Sequence, residues 1–118
     1  MSILKLNLSG HDNPTLAAMG FVTPKTPHVN FDDPELPQKF LHYLRSLDID
    51  SDTTVHLAVP GSSVIAVLTI AAIHGLTGHW PVVFPLVRRE DGFYPAAPLN
   101  LQQYRDRARM MRSNSIQL

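Results

Sequence analysis

The sequence predicts one small α/β domain with a parallel sheet and helices on both faces. Three observations predict it. Short apolar or β-branched runs alternate with helix-length segments, the pattern of strands joined by crossover helices. Dense Pro, Gly, Ser and Asn signals separate those segments. The length, 118 residues, suits a single domain with a modest core.

Residues 3–8 alternate, with Leu4, Leu6 and Leu8 on one face, and run into Ser9-Gly10-His11-Asp12-Asn13-Pro14. This is a first strand feeding a loop. A short helix over residues 14–19 follows, with Asn13 as its N-cap and Pro14 in the first helical position. Residues 26–31 are read as an extended edge strand despite Pro24 and Pro27, because an edge tolerates a missing N–H. Asp33 is placed as the cap of a helix to about Leu47, with Leu36, Phe40, Tyr43, Leu44 and Leu47 at helical spacing.

Residues 53–59 are apolar and β-branched, as in a buried central strand. Pro60-Gly61-Ser62-Ser63 then opens a helix over residues 64–73, which the serines cap and His74-Gly75 ends. This helix is apolar nearly all round, so it is expected to be covered on two sides, one of them by a second copy of the chain. Residues 80–87 read as another strand, and Asp91-Gly92 as a hairpin signal that Tyr94 extends. Residues 100–111 form a last helix with Leu101, Tyr104, Ala108 and Met111 on one stripe and Arg105, Arg109 and Arg112 on another face. The domain is taken as residues 1–112, and residues 113–118 as a frayed tail.

Ten Lys and Arg balance ten Asp and Glu, a net charge of zero with His neutral. That argues against duplex DNA as a general ligand, because such binding rests on many cationic phosphate contacts. The balance hides an asymmetry. Asp32, Asp33, Glu35, Asp48, Asp50 and Asp52 face only Lys39 and Arg45 in the middle of the chain, whereas Arg105, Arg107, Arg109 and Arg112 face Asp106 at its end. Two solvated surfaces account for this, as does a local field that draws an anion toward the C-terminal side. With no cysteine, thiolate catalysis, disulfides and Cys-zinc sites are excluded. The first ten residues lack the pattern of a secretory signal, and residues 64–73 are too few to span a membrane. A cytoplasmic protein without membrane contact is the expectation.

In parallel sheets ligands bind beyond the carboxyl ends of the strands, where strand order reverses. That rule selects the loops at residues 8–13 and 59–63. At the second, Gly61 permits close backbone approach and the first amides of the helix suit phosphate, although plain helix capping explains the same residues. In the first, Ser9 is either a ligand contact or a turn residue bonding its own backbone. His11 is either a base near neutral pH or an exposed turn histidine. His28, His42 and His56 lack metal-ligand spacing, while His74 and His79 fit a helix end better than a metal site. The sequence contains no phosphate-loop, dinucleotide or nucleophile-elbow motif, and no cofactor is called for.

Leu6-Asn7-Leu8-Ser9-Gly10-His11, then Val59-Pro60-Gly61 with the apolar helix after it, and His74-Gly75-Leu76-Thr77-Gly78-His79-Trp80-Pro81 carry a resemblance. Leu99-Asn100-Leu101-Gln102 and the Arg-rich helix complete it. On these segments, which follow in order along the whole chain, the sequence resembles the CRISPR-associated Csx-fifteen group, small accessory proteins of type III systems. Gly10 departs from the family's pattern, in which serine and histidine are adjacent.

The resemblance implies a Rossmann-like (CARF-like) homodimer, assembling further on ligand binding, that binds cyclic tetra-adenylate and damps antiviral signalling by sequestering it. A metal-independent ring nuclease releasing 2′,3′-cyclic phosphate products is the alternative, and a structural protein-interaction domain is another. Ser9 and His11 are then the catalytic candidates. Ser9, Gly10, His11, Pro60, Gly61, Ser62, Ser63, Arg88, Asn100 and Arg105 are the candidate ligand contacts, with Asn100 either touching an adenine or capping the last helix.

Overall fold

The computed structural model describes residues 2–114. In chain order the elements are β1 (Ser2–Asn7), α1 (Pro14–Ala18), α2 (Leu36–Arg45), β2 (Thr53–Ala58), α3 (Ser63–Thr77), β3 (Val82–Val83), β4 (Leu86–Arg89), β5 (Gly92–Pro95), β6 (Leu99–Asn100) and α4 (Leu101–Asn114). The main sheet has the order β1-β2-β3-β6, and β4 and β5 form a separate hairpin. β1, β2 and β3 are parallel, while β6 runs antiparallel to β3. The chain is therefore an α/β domain with a mixed, mostly parallel sheet.

The alternation of β1 and β2 sorts residues between the two faces. Leu6, Leu8, Val55 and Leu57 meet Phe40 and Leu44 of α2 and Ile65 and Ile73 of α3 in the larger core cluster. Ala58, one residue past Leu57, points the other way. It packs with Leu16 of α1, Phe21 and Phe84, whose rings meet edge to face at 5.2 Å. Helices do lie on both faces, but unequally: two long ones on one side and five-residue α1 on the other. The parallel strands succeed one another in a single direction, so both crossover helices fall on the same face. The sheet has no point where strand order reverses, contrary to the premise that selected the two loops. The loops still coincide with the carboxyl ends of adjacent strands.

Several boundaries differ from the sequence reading. Residues 26–31 are not a strand. Val22 alone bridges β1, accepting from the Asn7 amide at 2.8 Å and donating to the Lys5 carbonyl at 3.0 Å. Pro24 and Pro27 remove the donors a longer ladder needs. The strand expected over residues 80–87 is cut to Val82–Val83 and then resumes as β4 in the hairpin. The Phe84 amide still reaches the Leu57 carbonyl at 2.8 Å, but Pro85 has no N–H to continue. α2 starts at Leu36 with Glu35 at the N-cap and no side-chain cap. Asp33 instead accepts from the Glu35 amide and pairs with Lys39 at 2.6 Å.

α3 runs past His74 and Gly75 to Thr77 and stops at Gly78, whose φ of 81° is the left-handed cap. Its burial is one-sided within the chain. Ile65, Thr69, Ile73 and Thr77 are buried, while Val64 and Val67 are 52% and 67% exposed. Asn100, the last residue of β6, accepts from the Gln103 amide at 3.1 Å and caps α4. The helix continues through Ser113 and Asn114, where a tail was expected, and residues 115–118 lie outside those described. Among the described residues, no helix is long and apolar enough to cross a membrane.

Leu57 is fully buried between the faces of β2 and α3. Leu57→Ala is expected to destabilise the domain by about 2–5 kcal/mol, read from chemical denaturation, because a cavity would open in the larger core cluster.

Candidate functional site

The first loop is organised from below by one side chain. Asn7 ends β1 with its amide 1% exposed. Its Nδ2 donates to the His11 carbonyl at 2.8 Å and to Thr23 Oγ1 at 3.1 Å. Its Oδ1 accepts from the Ser9 amide at 3.1 Å and the Ser9 hydroxyl at 2.6 Å. Both donors and both lone pairs of the amide are thus used. Gly10, at φ 88°, supplies the left-handed turn that brings His11 back over Asn7.

Asn13 is the second organiser. Its Oδ1 accepts from the Leu16 amide at 3.0 Å and caps α1, and its Nδ2 donates to the Phe93 carbonyl of β5 at 3.0 Å. That bond holds the β4–β5 hairpin over the ends of β1 and β2. The result is a crevice of about 760 Å³ between the first loop, the β2–α3 turn and the hairpin. Ser9, His11, Pro60 and Gly61 line it. A smaller cavity of about 170 Å³ lies on the other side of the Pro60-Gly61 ridge, lined by Gly10, Ser62, Phe40 and Ile65 among others.

The remaining candidates fall elsewhere. Ser63 lines neither cavity. Asn100 and Arg105 belong to β6 and α4, across the sheet from β1; Asn100 is spent on its cap, and Arg105 pairs with Asp106 at 2.9 Å. Arg88 lies outside the crevice but its guanidinium sits 6.0 Å from the ring centre of Phe93, a crevice residue. His74 is inside α3 and stacks on Trp80 at 4.2 Å.

The crevice walls carry features the sequence reading did not assign. Leu86, Phe93 and Tyr94 come from the hairpin, along with Asp91, and Asp12 comes from the first loop. The Asp91 carboxylate, hydrogen-bonded to the Tyr94 hydroxyl, raises that phenol above its ordinary pKa, with burial adding to the effect. No Lys or Arg lines the crevice. Its two carboxylates therefore suit donors such as an exocyclic amine or a sugar hydroxyl, while its aromatic wall suits a flat ring. A negative group is better placed at the Gly61 end, beside the start of α3. Among the described residues no cluster of three or more His, Asp or Glu could hold a metal ion.

Asn7→Ala is expected to cost about 2–3 kcal/mol in denaturation, because the Thr23 and Ser9 hydroxyls and the His11 carbonyl lose their shared partner. Amide exchange at Ser9 should quicken beyond the global change. Comparison with family models, curated proteins and solved structures returns no match.

Proposed function

We propose that this domain binds a nucleotide-type second messenger at the crevice, cyclic tetra-adenylate by its sequence resemblance, and acts by withholding it. One observation carries the reading. A crevice of about 760 Å³ opens beyond the carboxyl ends of adjacent parallel strands and joins Ser9, His11, Pro60 and Gly61. An adenine fits against Phe93 and Tyr94 with its amine toward Asp91 or Asp12. The attached phosphates pass over the Pro60-Gly61 ridge at the start of α3. A Rossmann-like, CARF-like dimer would present two such crevices to a ligand of matching symmetry.

Sequestration is favoured over ring cutting by the state of the two catalytic candidates. The Ser9 hydroxyl already donates to Asn7. No hydrogen bond orients the His11 ring among the described residues; only its backbone is held. Metal-independent cleavage needs the ligand's 2′-hydroxyl in line with the phosphate, a donor for the developing charge and a placed base.

A Cβ added at Gly61 meets nothing within 4 Å, so Gly61→Val is expected to fold normally and fill the space over the ridge. Calorimetry with cyclic tri-, tetra- and hexa-adenylate should show the tetramer bound by wild type, and bound at least about tenfold more weakly by Gly61→Val. Unchanged affinity in the folded variant would place the ligand elsewhere.

Wild type at stoichiometric concentration, in EDTA, should leave the ring intact over hours. Conversion to 2′,3′-cyclic phosphate products that drops about 10²- to 10³-fold in Ser9→Ala or His11→Ala would make the protein a ring nuclease instead.

A further inference from the structure

α4 is a helix without a body. Its first turn is anchored, with the Leu101 amide on the Pro81 carbonyl at 3.2 Å and Gln102 Oε1 accepting from the Trp80 amide at 3.0 Å. Beyond that turn every described side chain is exposed, including Tyr104 and Met111 at 73% each. Fourteen residues make a marginal helix in water unless a face is packed. Leu101, Tyr104, Ala108 and Met111 recur at spacings of three and four on one side.

The same chain carries a matching surface. The outward side of α3 presents Val64, Val67, Ala71 and Gly75, also three and four apart, all exposed. α3 has 15 residues and α4 has 14, so the two stripes are of similar length. Charge agrees as well. Arg107 and Arg109 make no ion pair among the described residues. α2, which packs beside α3, is flanked by exposed Asp32 and Glu35 at its start and exposed Asp48, Asp50 and Asp52 beyond its end. A chain with no net charge meets no overall repulsion from its own copy.

We infer that α4 is an exchange arm that packs along the outward face of α3 on a second copy of this chain, each copy giving one arm and receiving one. Small Ala71 admits the larger Tyr104 when the two helices run antiparallel, which sets Val67 against Ala108, as ridges fit grooves between helices. With the two exchanges related by a two-fold axis, the assembly closes at two copies rather than growing into a filament. The pairing is independent of the ligand reading, since neither helix face belongs to the crevice.

The chain has no cysteine, which makes cross-linking clean. Full-length protein at micromolar concentration is expected to sediment as a dimer, and Val67→Glu or Tyr104→Glu to raise its dissociation constant about tenfold or more. Val67→Cys protein mixed with Ala108→Cys protein should oxidise to a covalent heterodimer, while neither forms a disulfide dimer alone. A monomeric wild type overturns the proposal. So does a dimer in which Ala108→Cys cross-links to itself or Val67→Cys to itself, since that means like faces pair. Absence of the heterodimer from a mixture that sediments as dimers overturns it equally.

Discussion

The carboxamide of Asn7 is the constraint on which the upper end of this domain depends. A buried amide is tolerable only when its donors and acceptors are all met, and here they are met by Ser9, His11 and Thr23. Those partners come from two separate stretches of chain, so satisfying one side chain fixes the loop after β1 and the return through residues 20–23 together. The loop in turn sets Asn13, and Asn13 holds the hairpin through Phe93. The crevice is the space left when this chain of bonds is closed.

Much of the scaffold was legible because its signals are local. Asn13-Pro14 announces α1, Ser62 caps α3 by accepting from the Ile65 amide at 3.4 Å, and Asp91-Gly92 turns the hairpin. The errors arose where local signals oppose one another. β-Branched residues over 80–87 suggested one strand, but Pro85 lacks the donor that a strand there requires. The apolar surround of α3 is a different case: it suggested one cover from the chain and one from a second copy, and the chain supplies the first over Ile65, Thr69, Ile73 and Thr77.

The candidate site was half legible. Ser9, His11, Pro60 and Gly61 follow from the rule that parallel strands end at ligands, and they do come together. Phe93, Tyr94 and Asp91 were visible as a hairpin, but nothing in a hairpin's own sequence says which loop it folds over. The signal lay in Asn13, whose two-sided amide has one end left after capping α1. Asn7 was also open to view: a lone amide closing an alternating Leu strand, where the pattern places it opposite Leu6 and Leu8. Arg105 was misplaced because charge along the sequence carries no information about which edge of the sheet a helix leaves from.

The single bridge at Val22 has a consequence for solubility. In β1 the even-numbered residues aim their backbone groups at β2, as the Ser2 and Leu8 amides show by bonding Asp52 and Ala58. The odd-numbered ones aim outward, and Val22 covers only the Lys5 carbonyl and the Asn7 amide. What stays open is about one repeat of the ladder around Ile3, too short to template a neighbouring strand. Lys5, its ammonium held at 2.8 Å by the Met19 carbonyl, stations a charge beside that gap. A sheet margin shortened and charged in this way is how proteins discourage edge-to-edge aggregation, so a bridge of one residue is enough to protect the strand it borders.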